Sequence, residues 1–265
     1  MALPIFIGEK MAKHILSCSF GKDSLAMLLL CLEENIPVDE VIFYDTGMEF
    51  DSIYRNRDRI KEVLLQKGIE FTELHPANPF VYDMLVRPVK YREKKEYPYH
   101  YGYGWCGGNA RWATRYKLNE INRHYREKYP DEKIVEYVGI AADEPQRIKN
   151  IPRKKYPLVE RGMTEKECLQ YCYTHGYNWD EDGIELYSIL DRVSCWCCRN
   201  KNLKELNNIY KHLPKYWERL RGLQSRIDEP FKGPGKSIFD LEKKFSEYEQ
   251  ITIFDLTEEM KWSMN

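Results

Sequence analysis

What the 265 residues lack narrows their role before what they contain. No uninterrupted apolar run approaches the 18 or so residues that a membrane-crossing helix needs, so no membrane span is expected. The first residues do not run from a basic segment through an apolar stretch to small residues, so no secretory signal is expected and the cytoplasm is the expected compartment. Neither sign of charge is in excess: 41 Lys and Arg against 42 Asp and Glu leave a net charge of -1, which argues against a globally basic nucleic-acid binder. Six histidines are present, but none falls in a His-Glu-x-x-His spacing, and they are given no role. The Walker-type loop Gly-x-x-x-x-Gly-Lys-Ser/Thr is absent, no internal repeat is visible, and no cysteine follows Cys198.

What is present reads as an ordinary globular chain, 43% hydrophobic and 31% charged. Apolar runs at 14–19 and 40–45, and a third candidate at 68–74, have strand length. Helical spacing over 24–34 and a polar helix over about 50–67 separate them. Strand-helix-strand-helix-strand is the pattern of a parallel sheet with crossover helices. The stretch 76–108 breaks into Pro, Tyr and Gly and reads as a long functional loop or an insert, its tyrosines able to stack on a base or simply to pack. A helix is expected over 111–129 and another strand over 133–140, followed by a polar connection over 143–157. Thr164 with Glu167 offers a capping box for a helix running to about 175. One or two helices broken at Pro214 should fill 203–227, and 229–237 reads as an exposed linker before a last charged helix. Against the balanced total, residues 87–126 hold ten Lys and Arg and three Glu, a candidate phosphate-binding face.

The turn Ser19-Phe20-Gly21-Lys22-Asp23-Ser24 joins the first strand to the first helix. There, backbone N–H groups and the positive helix end suit an anion. Lys22 adds a mobile positive charge, and Asp23 can hold a metal or fix the loop. The bland alternative is a helix cap at Asp23 or Ser24. A second cluster, Ser194-Cys195-Trp196-Cys197-Cys198, has the Cys-x-x-Cys spacing that lets one turn present two thiolates to one metal. Cys106, beside Gly107, is the best distant ligand. Four thiolates from Cys106, Cys195, Cys197 and Cys198 would suit Zn2+ or an iron-sulfur cluster; buried thiols or a metal-free redox pair remain the alternative. Cys168 and Cys172 share a helix face and read as core, as do Cys18 and Cys31.

The loop resembles the PP-loop, usually SGGKDS, of the adenine nucleotide alpha hydrolase-like superfamily, and within it the phosphoadenosine phosphosulfate (PAPS) reductase-like branch. Tyr44-Asp45-Thr46-Gly47-Met48-Glu49 resembles that branch's DTG-x-E segment. Gly139-Ile140-Ala141-Ala142-Asp143-Glu144 with Arg147 resembles its GIRADES-x-R segment, and Tyr156-Pro157-Leu158 its YPL stretch. The resemblance implies an α/β Rossmann-like fold, with a parallel sheet and crossover helices, and a cysteine-containing helical C-terminal part. The expected division is a PP-loop nucleotide-binding domain over 1–160, with an insert near 76–110, and a helical region over 161–265. The resemblance also implies that Ser19, Phe20, Gly21, Lys22, Asp23 and Ser24 grip phosphates, that Asp45, Thr46 and Gly47 lie near the adenosine, and that Asp143, Glu144 and Arg147 close the far side. Lys22 and Asp23 would be the catalytic pair. Two departures stand out. Phe20 replaces the usual second glycine, making one loop wall bulkier, and Ala141 replaces the usual arginine, a loss for which Arg115, Lys117 or Lys154 could compensate. The branch often carries Cys-x-x-Cys followed by Pro, and an upstream cysteine near Arg-Trp-x-Thr; here Arg199 follows Cys198, and the segment is Arg111-Trp112-Ala113-Thr114.

The activity this implies is cleavage of the ATP phosphoanhydride with Mg2+, giving an adenylylated acceptor, with coupling to sulfur transfer. Reduction of PAPS or adenylyl sulfate is the alternative, disfavoured because the C-terminal Glu-Cys-Gly-x-His of such reductases is missing. A non-catalytic nucleotide- or nucleic-acid-binding subunit of a DNA-modification or defence system is the other. The expected partners are an adenine nucleotide and either a sulfur donor or nucleic acid; a homo-oligomer is left open.

Overall fold

The computed structural model describes residues 12–91 and 96–247. In chain order the first half runs β1 (Lys13–Ser17), α1 (Lys22–Glu33), β2 (Glu40–Tyr44), α2 (Asp51–Lys67), β3 (Glu70–Leu74), α3 (Phe80–Leu85), β4 (Pro88–Lys90), β5 (Tyr99–Tyr101), α4 (Trp112–Lys128) and β6 (Ile134–Tyr137). Then come β7 (Lys154–Lys155), α5 (Pro157–Glu160), α6 (Glu165–Thr174), α7 (Leu186–Ile189), α8 (Leu203–His212) and α9 (Pro214–Gln224), with helical residues again at 238–247.

The described residues divide into two units whose segments interleave along the chain. The first takes 12–77, 114–180 and 192–194; the second takes 78–91, 96–113, 181–191 and 195–247.

The first unit holds five parallel strands in the order β3-β2-β1-β6-β7, the α/β Rossmann-like sheet that the alternation of elements implies. Every residue of β2 is buried, as in a strand covered on both faces. On one face α4 lays Ile121 and Tyr125, with Tyr129 beyond its end, against Ile15 and Ile42. The helix α1 is apolar nearly all round, and residues 25–31 are all buried, which requires packing on several sides. Cys18, Cys31, Cys168 and Cys172 lie in this core as expected. The capping box of Thr164 and Glu167 opens α6.

In the second unit β4 and β5 form an antiparallel ribbon. The break at Pro214 separates α8 from α9. Two readings need correction. The connection 143–157 contains the edge strand β7, whose two residues were too few to show periodicity. The supposed exposed linker 229–237 is anchored. Phe231 is fully buried against Trp105, with ring centroids 4.7 Å apart, and Gln224 Oε1 accepts from the backbone N–H of Phe231 at 3.1 Å and of Ile238 at 3.2 Å.

Candidate nucleotide site and thiol turn

Strand order reverses beside β1: β2 and β3 extend the sheet on one side, β6 and β7 on the other. In open parallel sheets the crevice outside the strand ends at such a point is where ligands bind. The loop after β1 and the segment after β6 both leave from this end. They touch so closely that a Cβ on Gly139 would lie 2.8 Å from the Ser24 Cα and 3.0 Å from its nitrogen, so only glycine fits there.

Gly21 is the N-cap of α1 and supplies no side-chain cap, so the capping alternative at Asp23 or Ser24 does not describe this turn. The first-turn N–H groups of a helix have no intrahelical acceptor and favour an anion. Ser24 instead ties the loop together: its hydroxyl accepts from the Ser19 N–H at 3.1 Å and donates to the Gly21 carbonyl at 3.1 Å. Ser19 is exposed beside it, its hydroxyl 3.1 Å from that of Ser24. Phe20 does not thicken the loop wall. Its ring is fully buried, edge-on to Phe43 at 5.2 Å, and its backbone is left-handed, with φ 57°.

Lys22 Nζ donates to Asp23 Oδ1 at 2.8 Å and to Glu165 Oε2 at 2.6 Å. Burial alone would lower the lysine pKa, but the two carboxylates outweigh it and raise it, so the ammonium keeps its proton. Burial raises the pKa of Asp23 despite the pull of Lys22. The positive charge is therefore present at the loop and shared between two carboxylates.

On the other side of the crevice, Asp143 Oδ1 accepts from the Glu165 N–H at 2.9 Å, and buried Glu144 is gripped by Arg147 and, at 3.0 Å, by Arg192. Ala141 is fully buried. Of the substitutes considered for its missing charge, Lys154 pairs with Glu136 at 3.5 Å, whereas Lys117 acts electrostatically on Cys18 next to the loop. At the end of β2, Asp45 Oδ1 accepts from the Gly47 N–H at 2.7 Å and the Tyr54 hydroxyl at 2.8 Å, and Thr46 donates to Glu49. Glu73 and His75 bring ligand atoms within 4.8 Å of Asp45. Arg57, 3.3 Å from Glu73, already supplies a positive charge there.

Glu165, Arg192 and Trp179, whose indole N–H donates to the Phe20 carbonyl, are not marked by the sequence. They arrive from segments more than 140 residues beyond the loop and carry no motif. His75 had a usable signal, since it follows Leu74, which pairs with Tyr44 just before Asp45.

In the second unit the Cys-x-x-Cys segment is a closed turn, with the Cys198 N–H donating to the Cys195 carbonyl at 3.1 Å. A hydrogen bond with Cys195 and burial together push the Cys198 thiol pKa up, while the Asn200 backbone N–H on its sulfur opposes them. The carbonyl of Cys106 accepts from the Arg199 N–H at 3.2 Å. Gly107 (φ 138°) permits this approach, since a Cβ there would strike the Arg199 Cβ at 2.8 Å. Lys232 clamps the turn by donating to the carbonyls of Arg199 and Lys201 at 2.8 and 2.9 Å. Cys197 is buried, whereas Cys106, Cys195 and Cys198 are partly exposed. A turn with an N–H aimed at one sulfur and a glycine-cradled approach for another cysteine fits thiolate ligation of a metal. Zinc bonds of about 2.3 Å put tetrahedral sulfurs about 3.8 Å apart; among the described residues no three of these thiols lie within 4.8 Å of one another.

Residues 13–153, more than half of the chain, match the phosphoadenosine phosphosulfate reductase domain. The chain belongs to this family. The match spans β1 to the start of the β7 region, so it takes in the PP-loop, the Asp45 segment and the Asp143 segment. An uncharacterized protein of Methanocaldococcus jannaschii is 24% identical over 226 residues, which are 80% of this chain and 41% of that protein. The chain thus spans about two fifths of the length of the curated relative it matches. Among solved structures, the U34-tRNA thiolase NcsA of Methanococcus maripaludis, with its 4Fe-4S cluster, aligns at a TM-score of 0.43 and 14% identity, covering 93% of this chain and 75% of that one. Among the described residues no helix is long and apolar enough to cross a membrane.

Proposed function

We propose that this family member binds ATP across the carboxyl ends of β1 and β6 and cleaves its phosphoanhydride, transferring the adenylyl group to an acceptor and releasing pyrophosphate. The observation that carries this reading is the close contact of Gly139 with Ser24, which joins the β1 and β6 loops into one wall at the strand-order reversal. The N-terminus of α1, uncapped by Gly21, and the charged Lys22 stabilise negative charge that builds on the pyrophosphate. In this reading Lys22 leaves Glu165 for a phosphate oxygen. Asp23 with substrate phosphates makes the donor set magnesium commonly takes, one or two carboxylates plus phosphate and water. The magnesium ion would spread the pyrophosphate charge.

Cys106, Cys195, Cys197 and Cys198 would hold a metal through thiolates, an iron-sulfur cluster in this reading, with zinc as the alternative that metal analysis and the visible spectrum separate. Such a cluster would supply a soft site for sulfur carried to the activated acceptor. The test is pyrophosphate release from ATP by the full chain, alongside Lys22→Ala and Asp23→Ala. Release that disappears in both variants supports the reading. Release that persists in them, or a thermal shift with PAPS but none with ATP, overturns it.

A further inference from the structure

We propose that the β4–β5 ribbon is a docking surface for single-stranded RNA, with bases stacking on Tyr97, Tyr99 and Tyr101. The inference stands on the ribbon alone and does not require the nucleotide chemistry above. Alternate residues of a strand face the same way, so Tyr99 and Tyr101 of β5 share a face, 51% and 74% exposed, and Tyr97, two residues before the strand, is 75% exposed. Register places Pro88 opposite Tyr101 and Lys90 opposite Tyr99, and both partners are exposed as well. The other face, with Val89 and His100, is half-buried, and His100 packs on Tyr91 with ring centroids 4.9 Å apart. One face of the ribbon is thus spent on packing, and the other displays aromatic rings.

The platform is held in place. A Cβ on Gly102 would fall 2.2 Å from the Met84 carbonyl oxygen, and the N–H groups of Tyr103 and Gly104 donate to Asp83 and Met84 of α3 at 2.9 and 3.0 Å. A backbone held in this way has little freedom to lose on binding.

Spacing and charge name the occupant. Rings two residues apart along a strand are about 6.7 Å apart, roughly twice the 3.4 Å rise of a stacked nucleic-acid strand. That suits one splayed base per ring, as in unpaired segments, and not a closed duplex. Charge complementarity points the same way. Among the described residues of this stretch Arg87, Lys90 and Arg111 stand against Glu96 alone, in a chain whose total is balanced, and Lys90 lies on the tyrosine face, although Arg87 is paired with Asp83 at 3.1 Å. Each ring also carries a hydroxyl that both donates and accepts, matching a ribose 2′-hydroxyl, which DNA lacks.

The experiment is fluorescence anisotropy of the full chain with a labelled unstructured RNA, the same sequence as DNA, and an RNA duplex. Expected are binding of the single-stranded RNA ahead of the other two, weakening as salt rises, and a loss of about 5- to 100-fold for each of Tyr97→Ala, Tyr99→Ala and Tyr101→Ala. The triple Tyr→Phe variant should keep its hold on single strands and lose the preference for RNA. Circular dichroism and the melting temperature should match wild type, since all three rings lie at the surface. The proposal is overturned by absent RNA binding, by equal binding of DNA or duplex, or by alanine variants that bind like wild type. Self-association of the chain that the same alanines abolish would make the face a protein interface, and would overturn it too.

Discussion

The indole N–H of Trp179 donates to the backbone carbonyl of Phe20 at 2.8 Å, with both side chains fully buried. It holds the PP-loop from below at its most unusual residue. A non-glycine residue at φ 57° costs on the order of 1–3 kcal/mol and persists only where its surroundings enforce it. Here the Phe20 ring is locked against Phe43 and Phe71 while Trp179 fixes its carbonyl.

Restoring the glycine common in the PP-loop is therefore expected to harm this protein. Phe20→Gly relieves the left-handed strain but deletes a core ring worth about 3–5 kcal/mol. The net expectation is a destabilisation of about 2 kcal/mol by urea unfolding, the ring's loss less the strain relieved. A variant as stable as wild type would show that the strain relieved matches the packing lost, and that the ring gives no net stabilisation.

Removing the support should act on ligand binding as well as on stability. Trp179→Phe leaves the Phe20 carbonyl without its buried donor, at a cost of about 1–3 kcal/mol. ATP binding followed by calorimetry should weaken, because the loop loses its brace. Undiminished affinity in a destabilised variant would confine the indole to the core.

Glu165 competes for the ammonium that the proposed reaction needs. Glu165→Gln removes one of the two carboxylates at Lys22 while keeping the helix start, whose N–H bonds Asp143. Charge-assisted hydrogen bonds contribute about 1.5–3 kcal/mol, so partial release should tighten ATP binding by about 3- to 10-fold. Weaker binding would mean that Glu165 orients Lys22 rather than restraining it.

The legible part of this molecule was local. Buried strands followed by a glycine turn and a helix marked the loop at Ser19 to Ser24, and Thr164 with Glu167 announced α6, because each signal lies within a few residues. The Phe20 ring was misjudged because its direction depends on a backbone angle that residue identity does not disclose. Glu165 and Trp179 were invisible for a different reason: their roles arise when α6 and the residues after it pack under α1. The linker at 229–237 looked exposed because its Pro and Gly content outweighed the single buried Phe231.

Gly107 tests the thiol turn. In Gly107→Ala the new methyl would collide with Arg199, and φ 138° is strained for any side chain. Cys106 should be pushed from the Cys195–Cys198 turn, and the anaerobically purified variant should carry less iron and show weaker visible absorption than wild type. Equal metal content would place the ligands within Cys195, Cys197 and Cys198 alone.

Glu40 supplies a pH dependence whose sign can be worked out. Its carboxylate is fully buried and accepts from Thr72, from Lys128 at 2.9 Å and from Tyr129 at 2.9 Å, with His124 Nε2 also 2.9 Å away. Burial alone would raise its pKa, but these hydrogen bonds and His124 overcome that, and the pKa is lowered. The unfolded chain titrates near 4.3. A depressed folded pKa means the stabilisation is fully present above that value and is lost as pH falls through the folded one. Glu40→Gln should therefore cost about 3–5 kcal/mol at neutral pH, as for a broken buried pair, and the gap from wild type should shrink as pH falls below about 4. Urea unfolding of both proteins across that range measures it. A gap that stays constant with pH would mean that Glu40 is held by shape and neutral hydrogen bonds, with its charge making no difference.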